Sequence, residues 1–532
     1  MNTEMNVEVS KRIDRVRRNT LGDLLTRTRE RVPNKFAIAY NGMRLTYSEL
    51  DDLVNQTAHA FIADGMKKGD MIAVISKNSL DFVIVNFALA RIGAVMIPLN
   101  YMLTSQDVKY VINHAGVCGF LSAVEFAAVL DTAAGSRAIR FRYLMDYPLD
   151  KSVPDELKSW KSLAVERKDQ STEFIDADID DESLAHVLYT SGTESRPKGV
   201  MLTHKSIVSE YVGCIVSGEM TENDVCIHAL PLYHSAQLHC FLGPSIYLGS
   251  SGIILESAKP DVILETVEKE KITQLFCPPT VWISLLRHPD FNKRDLSSLG
   301  KCYYGAAIMP MEVLKELSVR LPQARFFNFY GQTEVAPLAT VLKPEDQMRK
   351  LGSAGKPSLN VQTKIVDEND VEVPRGVIGE IVHRTPHAMK GYLFDPEKTE
   401  EAFRNGWFHS GDLGVMDEEG YITIVDRKKD MIKTGGINVS SREVEEVIYQ
   451  LDGVSEVAVI SIPDPYWIEA VMAIIVPKKG ANLTKGDVLN FCKNHLSKFK
   501  VPKYIEFADE LPKNPSGKLL KRTLREMYKE LG

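Results

Sequence analysis

The sequence lacks the motifs that define several classes of protein. Its seven cysteines are scattered, and none forms a CxxC pair, which argues against a zinc site or a dithiol redox motif. An odd, sparse set of this kind is typical of proteins kept in a reducing compartment. The longest apolar stretch, residues 82–99, is interrupted by Asn86 and Arg91 and therefore predicts a helix followed by a buried strand rather than a membrane span.

The sequence also has little excess charge and no apolar segment at its start. The 64 basic and 71 acidic residues give a net charge of -7, which offers no reason to expect a nucleic-acid partner. The polar opening MNTEMNVEVSKRIDRVRRNT does not resemble a secretory signal. With 44% hydrophobic residues the chain can form folded cores, and 532 residues predict more than one compact unit. We therefore expect a cytoplasmic enzyme without a transmembrane segment; peripheral membrane contact and a homodimer stay open.

Strand-like and helix-like runs alternate between about residues 36 and 325. Met71–Ser76 and Ala94–Leu99 are short apolar runs typical of strands buried on both faces, and residues 78–91 between them predict a helix. Leu184–Leu188 is a further strand candidate. The alternation predicts an α/β fold with layered, mostly parallel sheets, whose ligands lie at the carboxyl ends of the strands.

The pattern changes after about residue 350. Short β-branched runs at 361–366, 379–382 and 421–425 predict a small antiparallel or barrel-like section. The charged run DRKKDMIKTGG (426–436) predicts a hinge, and the remaining ~100 residues predict a small α+β domain with a helix capped by Ser441. We place the N-terminal domain at residues 1–426 and the C-terminal domain at 427–532.

The most informative segment is Tyr189–His204 (YTSGTESRPKGVMLTH). Glycines let backbone N–H groups turn toward an anion, hydroxyls add donors, and a lysine adds positive charge. The segment follows a strand and precedes a helix, whose N-terminus favours anions. The sequence therefore predicts a phosphate-binding loop, with a surface turn as the alternative. The candidate ligands are Thr190, Ser191, Gly192, Thr193 and Lys198.

This segment resembles the phosphate loop of the ANL superfamily of adenylate-forming enzymes, which contains acyl-CoA synthetases, firefly luciferases and the adenylation domains of peptide synthetases. The chain departs from the family pattern at Glu194 and Ser195, where Thr or Ser and then Gly are usual. Since a carboxylate would repel phosphate, we expect Glu194 to point to solvent and Ser195 to turn the chain in place of glycine.

Two further motifs resemble the ATP site of that superfamily. The run YGQTE (330–334) implies that Tyr330 stacks on adenine, Thr333 meets the α-phosphate and Glu334 holds Mg²⁺ together with Thr190. Trp407–Leu413 (WFHSGDL) resembles the ribose-binding signature. The other residues that the resemblance assigns to ATP are Gly305, Ala306, Ala307, Gly331, Gln332, Asp412, Ile424 and Arg427.

The remaining motifs concern catalysis and the second substrate. NPSGK (514–518) resembles the last family signature and implies that Lys518 is a catalytic lysine that also contacts ATP, carried on a mobile C-terminal domain. Lys429 takes the place of the family's hinge residue. The loop that serves coenzyme A in the family corresponds to Lys433, Gly435 and Gly436. The residues that we expect to be catalytic are Lys518, Glu334, Thr190, His234 and Lys433.

The acyl pocket is predicted from PLYH (231–234), whose His234 resembles the residue that gates the acyl tunnel. Val281, Gly305 and Val335 complete a lining that is apolar or small. Such a lining favours a fatty acid of medium or long chain, with an aryl acid as the second choice.

The resemblance implies ATP-dependent, Mg²⁺-assisted conversion of a carboxylic acid to acyl-adenylate, then to acyl-CoA. An adenylation enzyme that loads a carrier protein is a second interpretation, but it normally shows an acidic residue in the acyl pocket, and PLYHSAQLHCF has none. Luciferase-like oxygenation is a third. A non-catalytic nucleotide-binding regulatory module is the fourth, and the joint presence of Lys518, Glu334 and Asp412 argues against it.

Overall fold

The computed structural model describes residues 7–190, 197–307, 309–434, 437–514 and 519–531. The chain has a large N-terminal domain built on two mostly parallel sheets and a smaller C-terminal α+β domain, as the sequence predicts. The boundary between the domains at residues 426 and 427 stays a prediction.

Within the described ranges, one sheet of the large domain has nine strands. Its central pairs are parallel, and the pairs at both edges are antiparallel. In spatial order the strands are Lys356–Pro357, Leu338–Leu342, Arg325–Gly331, Lys301–Gly305, Gln274–Phe276, Val225–His228, Ser251–Ile254, Phe36–Tyr40 and Met43–Thr46.

The second sheet has eight described strands. The two strand pairs that contain Lys198–Thr203 are antiparallel, and the other five pairs are parallel. The order is Gly391–Tyr392, Lys198–Thr203, Leu184–Thr190, Val95–Pro98, Met71–Ile75, Gly119–Ser122, Phe141–Leu144 and Lys161–Ser162.

The helix predicted over residues 78–91 spans Leu80–Ile92. Ser79 caps it by accepting a hydrogen bond from the Phe82 amide, and Gly93 ends it in the left-handed region with φ 75°. Every residue of the helix is buried, including Arg91. The Arg91 guanidinium pairs with the Asp51 carboxylate at 2.7 Å, so the interruption in the apolar run marks a buried ion pair and not an exposed edge.

The section predicted to be antiparallel or barrel-like is a four-stranded antiparallel sheet. In spatial order its strands are Gln362–Val366, Gly379–Arg384, Phe408–Met416 and Ile422–Arg427. Among the described residues the first and last strands do not pair, so the sheet is open. The last of these strands leads directly into the charged segment predicted to be a hinge.

The C-terminal domain is built on an antiparallel hairpin, Val454–Asp464 with Ile468–Pro477. Tyr504–Phe507 pairs in parallel with Met472–Ile475, on the edge of Ile468–Pro477 that faces away from Val454–Asp464. The short strand Ile432–Thr434 pairs with Ile468 on the same edge, and Ile437–Val439 pairs with Ile432–Thr434.

The first helix of this domain, Ser441–Tyr449, is capped by Ser440, one residue before the predicted cap. The amide and hydroxyl of Ser441 bind the Asp426 carboxylate at 2.7 and 2.9 Å instead. The last helix, Lys521–Tyr528, buries Leu524 fully, whereas Met527 is 64% exposed.

The α-helices connect and flank the sheets. They are Val7–Arg17, Leu21–Arg31, Tyr47–Ala63, Leu80–Ile92, Ser105–His114, Val124–Ala134, Leu163–Arg167, His204–Ser217, Gly243–Leu248, Pro260–Glu270, Pro279–Arg287, Met311–Arg320, Pro396–Ala402, Ser441–Tyr449, Lys485–His495 and Lys521–Tyr528, and a π-helix spans Ala236–Leu242. None of the helices described is both long enough and apolar enough to span a bilayer.

Buried histidines make the large domain sensitive to acid. Burial lowers the pKa of His204 and His387 to about 4 and that of His228, His239 and His383 to about 3. Unfolded histidines titrate near ~6.5, so the unfolded chain binds more protons below that pH. Stability is therefore complete above about pH 6.5 and is lost as pH falls toward about 4, by up to ~1.4 kcal/mol per pH unit for each histidine.

We expect the melting temperature to fall steeply from pH 7 to pH 5. His228→Asn should make that fall shallower, because one buried proton acceptor is removed, whereas His495→Asn on the exposed surface should leave it unchanged. Equal slopes for the wild type and His228→Asn in differential scanning calorimetry would contradict this interpretation.

Candidate functional site

A cavity of about 700 Å³ opens where the carboxyl ends of the strands of both sheets converge. The eight-stranded sheet contributes residues 98–100 and 188–190, and the nine-stranded sheet contributes Phe276, Ala306 and residues 329–331. The antiparallel sheet, the hinge segment and Asn514 of the C-terminal domain complete the wall. This is the position in which the sequence predicts ligands.

Many of the predicted site residues lie on this wall, although they come from distant parts of the sequence. Those that line the cavity are Thr190, Lys198, His234, Ala306, Tyr330, Gly331, Gln332, Thr333, Glu334, Arg427 and Lys429.

Other predicted residues lie behind or beside the wall. Gly305 is buried at the end of its strand, and Ala307 is exposed beside Ala306. Val335 is fully buried, and Val281 packs against two core clusters. The predictions for Ser191, Gly192, Thr193, Glu194, Ser195, Gly435, Gly436 and Lys518 fall outside the described residues.

The segment YGQTE leaves the sheet through a tight turn. Strand Arg325–Gly331 ends there, and residues 333–335 form a short 3-10 turn. A Cβ atom on Gly331 would overlap the carbonyl oxygen of Pro337, so only glycine fits. Thr333 shares a hydrogen bond of 3.0 Å with the Ser235 hydroxyl, which joins this motif to PLYH. The side-chain amide nitrogen of Gln332 is buried without a hydrogen-bond partner in the described chain.

The predicted ribose group is already assembled. The Tyr330 hydroxyl donates to the Asp412 carboxylate at 2.7 Å, and the Arg427 guanidinium approaches the other carboxylate oxygen at 3.3 Å. Burial and the neighbouring Asp412 raise the pKa of Tyr330 well above its usual value, so Tyr330 remains a hydrogen-bond donor. Ile424 packs with Tyr330 on one apolar cluster of the antiparallel sheet, beside the predicted adenine position.

The phosphate side is held by paired strands. Thr190 and Lys198 face each other at the end of the ladder between their strands, which fixes both ends of the predicted phosphate loop. The Lys198 ammonium lies 4.9 Å from the centre of the Tyr392 ring, and the Tyr392 hydroxyl donates to Glu334 at 3.0 Å.

The acyl end of the cavity has aromatic walls. His234 receives a hydrogen bond from the Ala236 amide at 3.2 Å. Beyond it lie Phe241, Phe276 and Phe329, and Phe241 stacks on the other two with centroid distances of 4.2 and 5.6 Å. All three rings are buried.

The segment predicted to be a hinge contacts the large domain. The Lys428 amide donates to the Gly411 carbonyl at 3.0 Å, and its ammonium binds Glu380 at 3.3 Å. Lys429 follows on the cavity wall. Lys433 is exposed on a C-terminal strand, where its amide donates to Glu469 at 2.7 Å.

Several wall residues are not predicted from the sequence. Phe276 and Phe329 stand at strand ends and have the pattern of core residues, Glu380 lies within a strand, and Tyr392 belongs to a two-residue edge strand. For Tyr392 the one local signal is the motif KGY before a capped helix. Long-range strand pairing, which a single sequence does not reveal, brings these residues to the cavity.

Comparison with known proteins agrees with this geometry. A family model described as AMP-binding enzyme matches residues 25–393, and one for the C-terminal domain of the AMP-binding enzyme matches residues 443–518. The chain belongs to the AMP-binding enzyme family. The resemblance to adenylate-forming enzymes is thereby confirmed.

Relatives extend over the whole length of the chain. A feruloyl-CoA synthase of Amycolatopsis is 34% identical, covering 96% of this chain and 100% of its own. A long-chain-fatty-acid–CoA ligase of Escherichia coli is 31% identical, covering 98% and 96%. ATP-bound MatB from Rhodopseudomonas palustris has a TM-score of 0.86 at 32% identity, covering 96% and 99%. The chain is thus of the acid–CoA ligase type within its family, and its relatives differ in the acid they are named for.

We expect Asp412→Asn to weaken ATP binding by about tenfold or more, because a charged acceptor for ribose hydroxyls is lost. Isothermal titration with ATP and with 2′,3′-dideoxy-ATP separates this effect from general damage. The wild type should prefer ATP, and the variant should not distinguish the two. Asp367→Asn, on a turn of the same antiparallel sheet, is the control. A variant that still prefers ATP would remove Asp412 from the ribose site.

Proposed function

We propose that this acid–CoA ligase activates an aryl or arylalkenyl carboxylic acid with ATP and transfers the acyl group to coenzyme A. The observation that carries the proposal is that one cavity is lined both by Tyr330, Arg427 and Lys198, which suit a nucleotide, and by the aromatic rings of Phe241, Phe276 and Phe329.

The nucleotide end suits ATP. The buried amide of Gln332, which has no partner among the described residues, offers a donor to a base, and Asp412 with Arg427 offers hydrogen bonds to ribose. Thr190, Thr333 and Glu334 present only oxygen donors, which fits Mg²⁺, a hard cation that commonly binds one carboxylate plus phosphate oxygens. When bound, Mg²⁺ would offset phosphate charge.

In the first half-reaction a carboxylate oxygen of the acid attacks the α-phosphorus of ATP. The bond from that phosphorus to the bridging oxygen breaks, and pyrophosphate leaves. This chemistry needs positioning and charge neutralisation. We assign Thr333 to the α-phosphate, Lys198 to the outer phosphates and Lys518 to a bridge between carboxylate and phosphate, the roles that the family resemblance implies. Asn514, four positions before Lys518, lies on the cavity wall, which supports delivery of that lysine to the site.

In the second half-reaction the thiolate of coenzyme A attacks the acyl carbonyl, and AMP leaves. Pantetheine must reach the carbonyl that Lys518 faced, so the C-terminal domain has to turn about Lys429 and exchange the Lys518 segment for the loop of Lys433, Gly435 and Gly436. The Lys428–Glu380 contact beside Lys429 belongs to the first arrangement and would break in that rotation.

The aromatic end decides between acids. Phe241, Phe276 and Phe329 stack on one another and line the apolar part of the cavity. Flat rings stack favourably on such walls. This favours an aryl acid over the fatty acid preferred from sequence alone, and the full-length similarity to a feruloyl-CoA synthase supports it.

A panel of acids tests the proposal. AMP release in the presence of ATP, Mg²⁺ and coenzyme A should be fastest, as kcat/KM, with cinnamate-type acids and at least ~10-fold slower with decanoate and palmitate, since an alkyl chain lacks the stacking that a flat ring makes with aromatic walls. Phe276→Ala should shift the ratio toward decanoate. Phe291→Ala, which removes a buried ring from another core cluster, should not. A wild-type preference for palmitate would contradict the aryl assignment, and formation of ADP instead of AMP would contradict the reaction.

The hinge and catalytic lysines can be separated by half-reaction. Lys429→Pro should keep exchange of pyrophosphate into ATP and abolish thioester formation, because the domain can no longer rotate. Lys518→Ala should lower the exchange itself by about 10²–10³-fold, because it removes charge stabilisation from the first step. If Lys429→Pro loses exchange to the same degree as Lys518→Ala, the hinge assignment is wrong.

A further inference from the structure

Tyr392 touches both charged groups expected to handle the phosphates. Its hydroxyl lies 3.0 Å from a carboxylate oxygen of Glu334, and its ring lies 4.9 Å below the Lys198 ammonium. The three side chains come from segments separated by roughly 60 to 200 positions and meet on one wall of the cavity. One tyrosine therefore links the expected metal ligand to the expected phosphate-binding lysine.

The backbone holds Tyr392 rigidly. Gly391 and Tyr392 pair with Met201 and Val200 beside the phosphate loop, and the Tyr392 amide donates to the Thr399 hydroxyl at 2.9 Å. That hydroxyl in turn donates to the Asp395 carbonyl at 2.7 Å, at the start of helix Pro396–Ala402.

The segment before Tyr392 is fastened to the YGQTE turn as well. The Met389 amide donates to the Glu334 carbonyl at 2.8 Å, and the imidazole of His387 binds the Val335 carbonyl at 2.6 Å. Main chain and side chain of Glu334 are thus both held by residues 389–392. Burial and Glu334 raise the pKa of the Tyr392 hydroxyl, so that it donates and does not ionise.

We propose that Tyr392 is a positioning residue that fixes the Glu334 carboxylate for Mg²⁺ through its hydroxyl and seats the Lys198 ammonium over its ring. The inference rests on the proposed function, since it needs Glu334 to face metal-bound ATP. A hydroxyl that occupies one carboxylate oxygen restricts the rotation of the group and directs the other oxygen to the cavity. The ring restricts the flexible lysine, whose ammonium would otherwise sample many positions.

The two roles predict separable effects on ATP binding. Tyr392→Phe keeps the ring and removes the hydroxyl, so it should weaken binding of ATP with Mg²⁺ by about tenfold and leave binding of ATP in EDTA within about twofold. Tyr392→Leu removes both and should weaken binding in both conditions. A purely structural role would lower both affinities equally in Tyr392→Phe.

Equilibrium dialysis without added acid measures these affinities on the full chain, with no turnover. Mn²⁺ electron paramagnetic resonance gives a second readout, in which Tyr392→Phe should need a higher Mn²⁺ concentration to form the ternary complex with ATP. Tyr143→Phe is the matched control, because the Tyr143 hydroxyl also donates to a carboxylate, that of Asp64 at 2.7 Å, away from the cavity.

The outcomes separate this inference from the proposed function. If the wild type forms acyl-adenylate with Mg²⁺ and Tyr392→Phe keeps the wild-type ratio of the two affinities, the role of Tyr392 is overturned while the function stands. If the wild type forms no adenylate with any acid, the proposed function fails. The positioning role is supported if Mg²⁺ increases the affinity for ATP less in Tyr392→Phe than in the wild type, while Tyr143→Phe keeps the wild-type increase.

Discussion

The site depends on close main-chain packing at the carboxyl end of strand Arg325–Gly331. A side chain on Gly305 would overlap the carbonyl of Phe329, and one on Gly331 would overlap that of Pro337. Because these backbones meet without side chains, the chain can turn at once from the sheet into Thr333 and Glu334. Those two residues therefore follow directly from a tightly packed strand end, which suits groups that must be positioned within fractions of an ångström.

Buried polar groups brace this turn from behind. Glu210, fully buried, accepts hydrogen bonds from the Leu338 amide and from the thiols of Cys214 and Cys240. Burial raises its pKa well above the usual range, so it is held as a neutral acid. The three side chains could also hold a metal ion by their spacing, but a protonated carboxyl already engaged by three donors is better explained as a support for the strand that follows the turn.

How much the sequence predicts depends on whether a function is encoded locally. The Thr190–Lys198 segment is contiguous, and its residue types indicate phosphate chemistry; YGQTE and the Asp412 motif are contiguous as well, so their resemblance to family signatures implies nucleotide and ribose roles. Strand periodicity likewise predicts Met71–Ile75 and Val95–Pro98 almost to the residue. Glu380 and Phe276 are different, because their place on the wall follows from strand order in two sheets and from no local pattern. The sequence predicts Ser441 as the helix cap, whereas Ser440 caps the helix in the structure. Ser441 instead binds Asp426, which lies on the other side of the predicted domain boundary.

In the proposed mechanism, the order of the two half-reactions requires one fixed part and one movable part of the site. The nucleotide has to remain bound through both steps. Meanwhile the group next to the acyl carbonyl changes from the catalytic lysine to the thiol of coenzyme A. Tyr330, Asp412 and Glu334 accordingly lie in the large domain, and the groups predicted to be exchanged lie beyond residue 427. Polar contacts join the domains, among them Ser441 with Asp426 at 2.9 Å and the Arg442 guanidinium with the Gly352 carbonyl at 2.9 Å, and the partly buried Tyr449 packs against a core cluster of the large domain. Polar contacts can be replaced by water when the domains separate, whereas a large apolar interface would lock the enzyme in its first half-reaction.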